Sequence, residues 1–182
     1  MLKSMYLRWF SKPKGERALY RAIRQSRPRR IVEMGVAMGR RTERLLSLAG
    51  TYHPVAELDY TGIDLFEARP STHSGMTLKR AYREINAICG RVNLLPGDPF
   101  LVLTRYANVL TKTDLLIIAA DQDAASLAQA WFYVPRMLHA HSWVLIEEPV
   151  DASMSTHFRR LTLLEIEQLA RKAKPPRRAV AA

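Results

Sequence analysis

A single cysteine in 182 residues excludes an intrachain disulfide framework. Cys89 lies on a helical stretch beside Ile85 and Ile88, where a cysteine is ordinarily core and not a nucleophile. No apolar run reaches membrane-spanning length and no secretory leader stands out, so a reducing cytoplasm is the expected setting. The histidines His53, His73, His139, His141 and His157 lack metal-ligand spacing, and His139 and His141 are expected in a loop. Internal repeats are absent too. What is present is a hydrophobic content of 48%, enough for one well-buried domain at this length but not for two.

Charge is present but unevenly placed. The net charge of +11 suggests nucleic acid until it is divided along the chain. Residues 1–30 hold ten Lys and Arg against one acid, and residues 159–182 hold seven against two. The intervening body has eleven bases and fourteen acids, and is mildly acidic. Basic ends can contact RNA or an anionic membrane, but no aromatic RNA-reading motif accompanies them and solvated ends are the commoner case.

The most informative stretch is residues 31–42 (IVEMGVAMGRRT). Before its glycine turn come β-branched residues suited to a buried parallel strand, and after the turn helix-forming residues with Leu45, Leu46 and Leu48. Gly35 and Gly39 lack a Cβ, so backbone can approach a ligand or take positive φ, while the helix start offers unpaired N–H groups. Glu33 at the strand end would accept hydrogen bonds from a ligand's donors. Further strands are read at 57–66, ending in Asp64, at 91–98 with a terminal Gly97-Asp98, at 113–120, and at 142–148. Helical stretches at 77–89, 99–110 and 126–138 lie between them. This alternation predicts an α/β fold with a parallel sheet covered on both faces.

Glu33-x-Gly35-x-Ala37-x-Gly39 resembles motif I of class I S-adenosylmethionine-dependent methyltransferases, acid-x-Gly-x-Gly-x-Gly, with only the middle glycine changed. A dinucleotide fingerprint fits less well, since it requires glycine at position 37 and a small residue where Arg40 stands. The resemblance covers residues 29–150 and is closest in flavour to small-molecule O-methyltransferases. It implies a three-layer Rossmann-like sandwich of strand order 3-2-1-4-5. S-adenosylmethionine is the implied cofactor, held by Glu33, Gly35, Val36, Ala37, Gly39, Asp64, Leu65 and Asp98. Asp64 would meet the ribose and the neighbourhood of Asp98 the adenine.

Departures from the family qualify that expectation. Its fourth strand usually ends Asp-Gly-Asp-His, whereas this chain has Ala119-Ala120-Asp121-Gln122. Ala119 can supply no ligand, so no metal is expected even with Asp121, Glu147 and Glu148 nearby. Residues 155–173 read as one helix, which leaves no room for the family's sixth and seventh strands. Strand five would then lie at an edge, covered by that helix or by a second subunit in a homodimer.

The chain divides into an amino-terminal helical segment (1–28), a methyltransferase-like domain (29–173) and a basic tail (174–182). The first segment carries two amphipathic stripes, Leu2, Met5, Tyr6, Trp9 and Phe10, then Ala18, Leu19, Ala22 and Ile23. Residues 67–77 form a polar loop in which Arg69 or His73 could meet an anionic group. His73, Asp121 and Glu148 are the candidate general bases, and no pattern chooses among them. The expected function is methyl transfer to an unidentified small, apolar or aromatic acceptor. The competing expectation is a catalytically degenerate fold member acting as a binding or interaction module.

Overall fold

The computed structural model describes residues 14–150 and 156–173. The first amphipathic stripe and the basic tail lie outside the described residues. In α1 (Arg17–Ser26), Leu19, Tyr20, Ala22 and Ile23 are buried and Arg21 and Arg24 are exposed, as the second stripe requires. Arg27 ends the helix in a left-handed conformation (φ 44) and donates its N–H to the Ile23 carbonyl at 2.9 Å.

Strands and helices then alternate: β1 (Arg30–Met34), α2 (Arg40–Ala49), β2 (Asp59–Asp64), α3 (Leu78–Asn86), β3 (Arg91–Pro96), α4 (Pro99–Tyr106) and β4 (Thr113–Ile118). Two short helices, α5 (Ala124–Ala130) and α6 (Val134–Met137), lead to β5 (Leu138–Pro149), β6 (Thr156–Leu161) and α7 (Leu163–Lys172). Local chemistry fixes the helix starts. The side chains of Thr77, Asp98 and Asp123 each accept an N–H from the first turn of α3, α4 and α5 respectively. Pro99, which has no N–H to leave unpaired, opens α4.

The sheet has the order β3-β2-β1-β4-β5-β6. The first five strands are parallel, as the alternation requires, and β6 runs antiparallel to β5. Side-chain alternation along the strands builds a core on each face. Ile31, Tyr60, Leu115, Ile117 and Leu145 face α1, α2 and α3. Val32, Met34, Ile63, Leu116, Ile118 and Val144 face the other layer, which contains Leu103, Ala130, Val134, Met137 and Ile166. The order reverses beside β1, since its two neighbours are β2 and β4. A crevice therefore opens at the carboxyl ends of these strands.

The sequence reading fails at 155–173, because the sheet does not end at strand five. Residues 156–161 are extended, with Phe158 and Leu161 buried in the two opposite layers. The helix begins only after Thr162. There Thr162 Oγ1 accepts the Glu165 N–H at 3.2 Å while Glu165 Oε2 accepts the Thr162 N–H at 2.7 Å, a reciprocal cap that sets the boundary. The approach to strand five differs as well. The 126–138 stretch breaks into two helices with Pro135 in the first turn of the second. His139 and His141 lie within β5, not in a loop. Pairing with β4 resumes across a bulge, where Ser142 Oγ donates to the Thr113 carbonyl at 2.6 Å and accepts the His139 N–H at 2.7 Å.

Two outcomes test this carboxyl-terminal arrangement. Phe158→Ala should destabilise the fold by about 3–5 kcal/mol in urea unfolding, because a buried aromatic ring is lost; a surface-helix residue would cost far less. The Glu165 carboxyl is pulled from the ordinary 4.5 down to about 2, first by the Thr162 N–H, then by the Thr162 hydroxyl and Arg159. A depressed carboxylate stabilises above its ordinary pKa and loses that effect as pH falls. Protection of the first α7 amides, followed by NMR, should therefore decline between pH 4.5 and about 2.

Candidate functional site

Three residues of the turn after β1 have positive φ: Gly35 at 93, Ala37 at 50 and Gly39 at 69. A Cβ at Gly35 would lie 2.6 Å from Ala119 Cβ and from Gln122 Nε2, so glycine is what lets the loop after β4 close on the turn. Ala37 occupies the left-handed region where the motif ordinarily has glycine, at a cost of about 1 kcal/mol. Hydrogen bonds compensate. Gly35 N–H donates to Ile63 O at 2.8 Å, Gly39 N–H to Val36 O at 2.9 Å, and Ala37 N–H to Asp64 Oδ2 at 2.8 Å.

Beneath the turn is a buried ionic network. Glu33 is fully buried; its Oε1 accepts Arg41 Nε at 2.7 Å, and its Oε2 accepts Thr42 Oγ1 at 2.7 Å and Tyr60 OH at 2.6 Å. Arg41 continues to Glu147 Oε2 at 2.9 Å and to the Gly35 carbonyl at 2.6 Å, with its guanidinium 5.5 Å from the Phe158 ring centroid. A cation in the first turn of α2 opposes the helix dipole. Burial also works against its charge, but Glu33 and Glu147 outweigh it and hold Arg41 protonated. Burial, with the Glu33 carboxylate beside it, pushes the Tyr60 hydroxyl well up, so that it remains a donor.

Beyond the turn, at the carboxyl ends of β2, β3 and β4, is a cavity of about 290 Å³. Asp64, Leu65, Arg69, Pro70 and His73 form one wall, Gly97, Asp98 and Pro99 a second, and Asp121, Gln122 and Asp123 a third. Asp64 is almost buried, 4% exposed. Its Oδ2 accepts the Ala37 N–H and its Oδ1 the Phe66 N–H at 3.0 Å, while the Arg69 guanidinium lies across both oxygens. Asp98 Oδ1 accepts the Leu101 N–H at 3.0 Å and the Ser126 hydroxyl. Four aspartates against one arginine give the cavity an acidic lining.

Neither family models nor curated protein sequences match the chain. Solved structures do. The O-methyltransferase TomG from Streptomyces achromogenes, involved in tomaymycin synthesis and solved in complex with SAM, aligns over 94% of this chain and 74% of its own, with TM-score 0.56 and 13% identity. The fold is that of the class I methyltransferases. The CurJ carbon methyltransferase shares this methyltransferase fold at TM-score 0.52 and 16% identity over 76% of the present chain. CmcI-N160 in its apo form does so at 0.51 and 21% over 75%. The present chain spans 34% and 53% of those two chains.

Within this methyltransferase fold the sequence-derived residues divide into groups. Asp64, Leu65 and Asp98 converge on the cavity. Gly35, Ala37 and Gly39 shape the turn, and Ala37 is joined to the cavity through Asp64. Val36 is buried and packs towards Gly62. Glu33 does not line the cavity, and its oxygens are engaged by Arg41, Thr42 and Tyr60. Glu147 and Glu148 are each engaged by an arginine, Arg41 and Arg159. Among the described residues no group of His, Cys, Asp and Glu is arranged to hold a metal ion. Of the candidate bases, His73 and Asp121 line the cavity and Glu148 does not. Trp131 and Tyr133 are core residues and do not line the cavity.

Arg41 is the residue that sequence reasoning missed. Its signal was available, because an arginine opening a helix needs acids to hold it against the dipole. Glu33→Gln removes half of that support and should cost roughly 3–5 kcal/mol in urea unfolding, the range for breaking a buried ion pair. A change under about 1 kcal/mol, the surface-pair range, would show that the network does not carry the turn.

Proposed function

We propose that the chain binds S-adenosylmethionine in the cavity beside the Gly35–Gly39 turn and transfers its methyl group to a small-molecule acceptor. The observation that carries this reading is the convergence of Asp64, Leu65 and Asp98 on one cavity at the strand ends of a methyltransferase fold. The donor set suits such a cofactor. Asp64 offers acceptors for ribose hydroxyls, Gly97-Asp98 lies one strand further out where an adenine would reach, and the acidic lining favours a cationic ligand. A bound cofactor would supply an already activated methyl group on sulfonium sulfur. The protein's part is then alignment of the acceptor with that carbon and removal of a proton, for which Asp121 and His73 are placed in the cavity wall. The chain spans only part of several structures that it resembles, so the acceptor belongs to the proposal as well.

A second reading is a binding module without turnover, favoured by Ala119 in place of the usual acid. Turnover separates the two readings; cofactor binding does not.

Calorimetric titration of S-adenosylhomocysteine, with NAD as control, tests the binding claim. Micromolar binding that is lost or weakened at least tenfold in Asp64→Ala is expected. Binding of NAD but not S-adenosylhomocysteine would overturn the assignment.

A further inference from the structure

We infer that Arg69 is a built-in competitor of the cofactor, a latch that must leave Asp64 before ribose hydroxyls can bind there. The inference rests on the cofactor reading above and deepens it by assigning a regulatory contact to the same site.

The argument begins with the acceptor capacity of Asp64. A carboxylate has about four lone-pair positions, two on each oxygen. The fold uses one on each: Ala37 N–H donates to Oδ2 and Phe66 N–H to Oδ1. Arg69 Nη2 reaches both oxygens and takes what is left. With the latch in place the carboxylate has no capacity for a vicinal diol. With the latch gone it has one acceptor position on each oxygen, which is what two adjacent hydroxyls require.

The surroundings are built for this contact. The Arg69 side chain is 10% exposed and passes directly over Gly75, where a Cβ would lie 2.7 Å from Nε and 3.0 Å from Cζ. Glycine at position 75 is what makes room for the arginine to lie down. Nη1 donates to the Ser74 carbonyl at 3.1 Å. The loop carrying Arg69 is fastened at its far end, where Met76 N–H donates to Ala37 O at 2.9 Å, so it bridges Asp64 and the turn. Phe66, at the start of the loop, sits at φ 47, a conformation costly for a bulky side chain.

The contact is also built to open. Arg69 Nε is buried and has no hydrogen-bond partner among the described residues, so the latched state leaves one donor unsatisfied. Asp121 Oδ2 is 3.5 Å from Nη1 on the opposite wall. It offers the guanidinium a second carboxylate to turn towards as a ligand arrives. Apparent affinity is then the intrinsic affinity multiplied by the fraction of molecules with the latch open.

The test is calorimetric titration of S-adenosylhomocysteine into the wild-type chain, Arg69→Gln, Gly75→Ala and the double variant. Arg69→Gln removes the charge and the reach; Gly75→Ala leaves Arg69 intact but fills the space on which it lies. Each single variant should bind about tenfold tighter than wild type, and the double variant no tighter than either, because both remove one contact. Binding by the variants alone, with none by wild type, would equally support the latch. Wild-type affinity in both single variants would overturn the latch and leave the cofactor reading standing. Weaker binding in Arg69→Gln would make Arg69 a cofactor contact and also overturn it. No binding by any of the four proteins would overturn both.

Discussion

The structure depends on a partly buried arginine, its side chain 14% exposed. Arg41 joins Glu33 at the end of β1 to Glu147 at the end of β5 and holds the Gly35 carbonyl from below. It crosses the position of β4, whose following loop closes over the same turn through Ala119 and Gln122. Arg41, Thr42 and Tyr60 place three donors on the buried Glu33 carboxylate, so its charge does not stand unpaired. Remove that linkage and the turn loses its floor. The backbone then has little reason to keep three residues at positive φ, one of them an alanine.

This constraint separates two roles that the motif presents as one. The acid of the Glu-x-Gly-x-Ala-x-Gly run faces inward and holds the backbone in place, whereas Asp64 one strand away faces the cavity. Ala37 connects them, because its N–H reaches Asp64 and its neighbour Gly35 is bound to Arg41. The cavity and the ionic packing under the turn are thus joined through a few backbone atoms. The loop carrying Arg69 adds a third connection, running from Asp64 to the Ala37 carbonyl.

Much of this was legible in the sequence. Strand-helix alternation was enough for a parallel α/β sheet, while the order 3-2-1-4-5 was what the resemblance of the Glu33 to Gly39 run implied. Asp64 was legible because it ends a strand, and Asp98 because it follows the third strand and caps the next helix, where strand ends face the crevice. The antiparallel β6 was not, because its apolar residues Phe158 and Leu161 are three apart and fit a helix as well as a strand. The deciding cue was the Thr162-x-x-Glu165 box, which places the helix start after the strand. Glu33 was read as facing a ligand since nothing local distinguishes a strand-end carboxylate turned inward. The other carboxylate on Arg41, Glu147, is more than a hundred residues away, and the bridge exists only once β1, β4 and β5 lie side by side.

The most direct measurement is a crystal structure of the protein with S-adenosylhomocysteine. We expect the ribose hydroxyls on Asp64, the adenine beside Gly97 and Asp98, and the Arg69 guanidinium turned away from Asp64. Ligand bound instead in a second groove, which Met38, Glu43, Met76 and Arg80 line beside α2 and α3, with Arg69 still on Asp64, would contradict the assignment of the cofactor site.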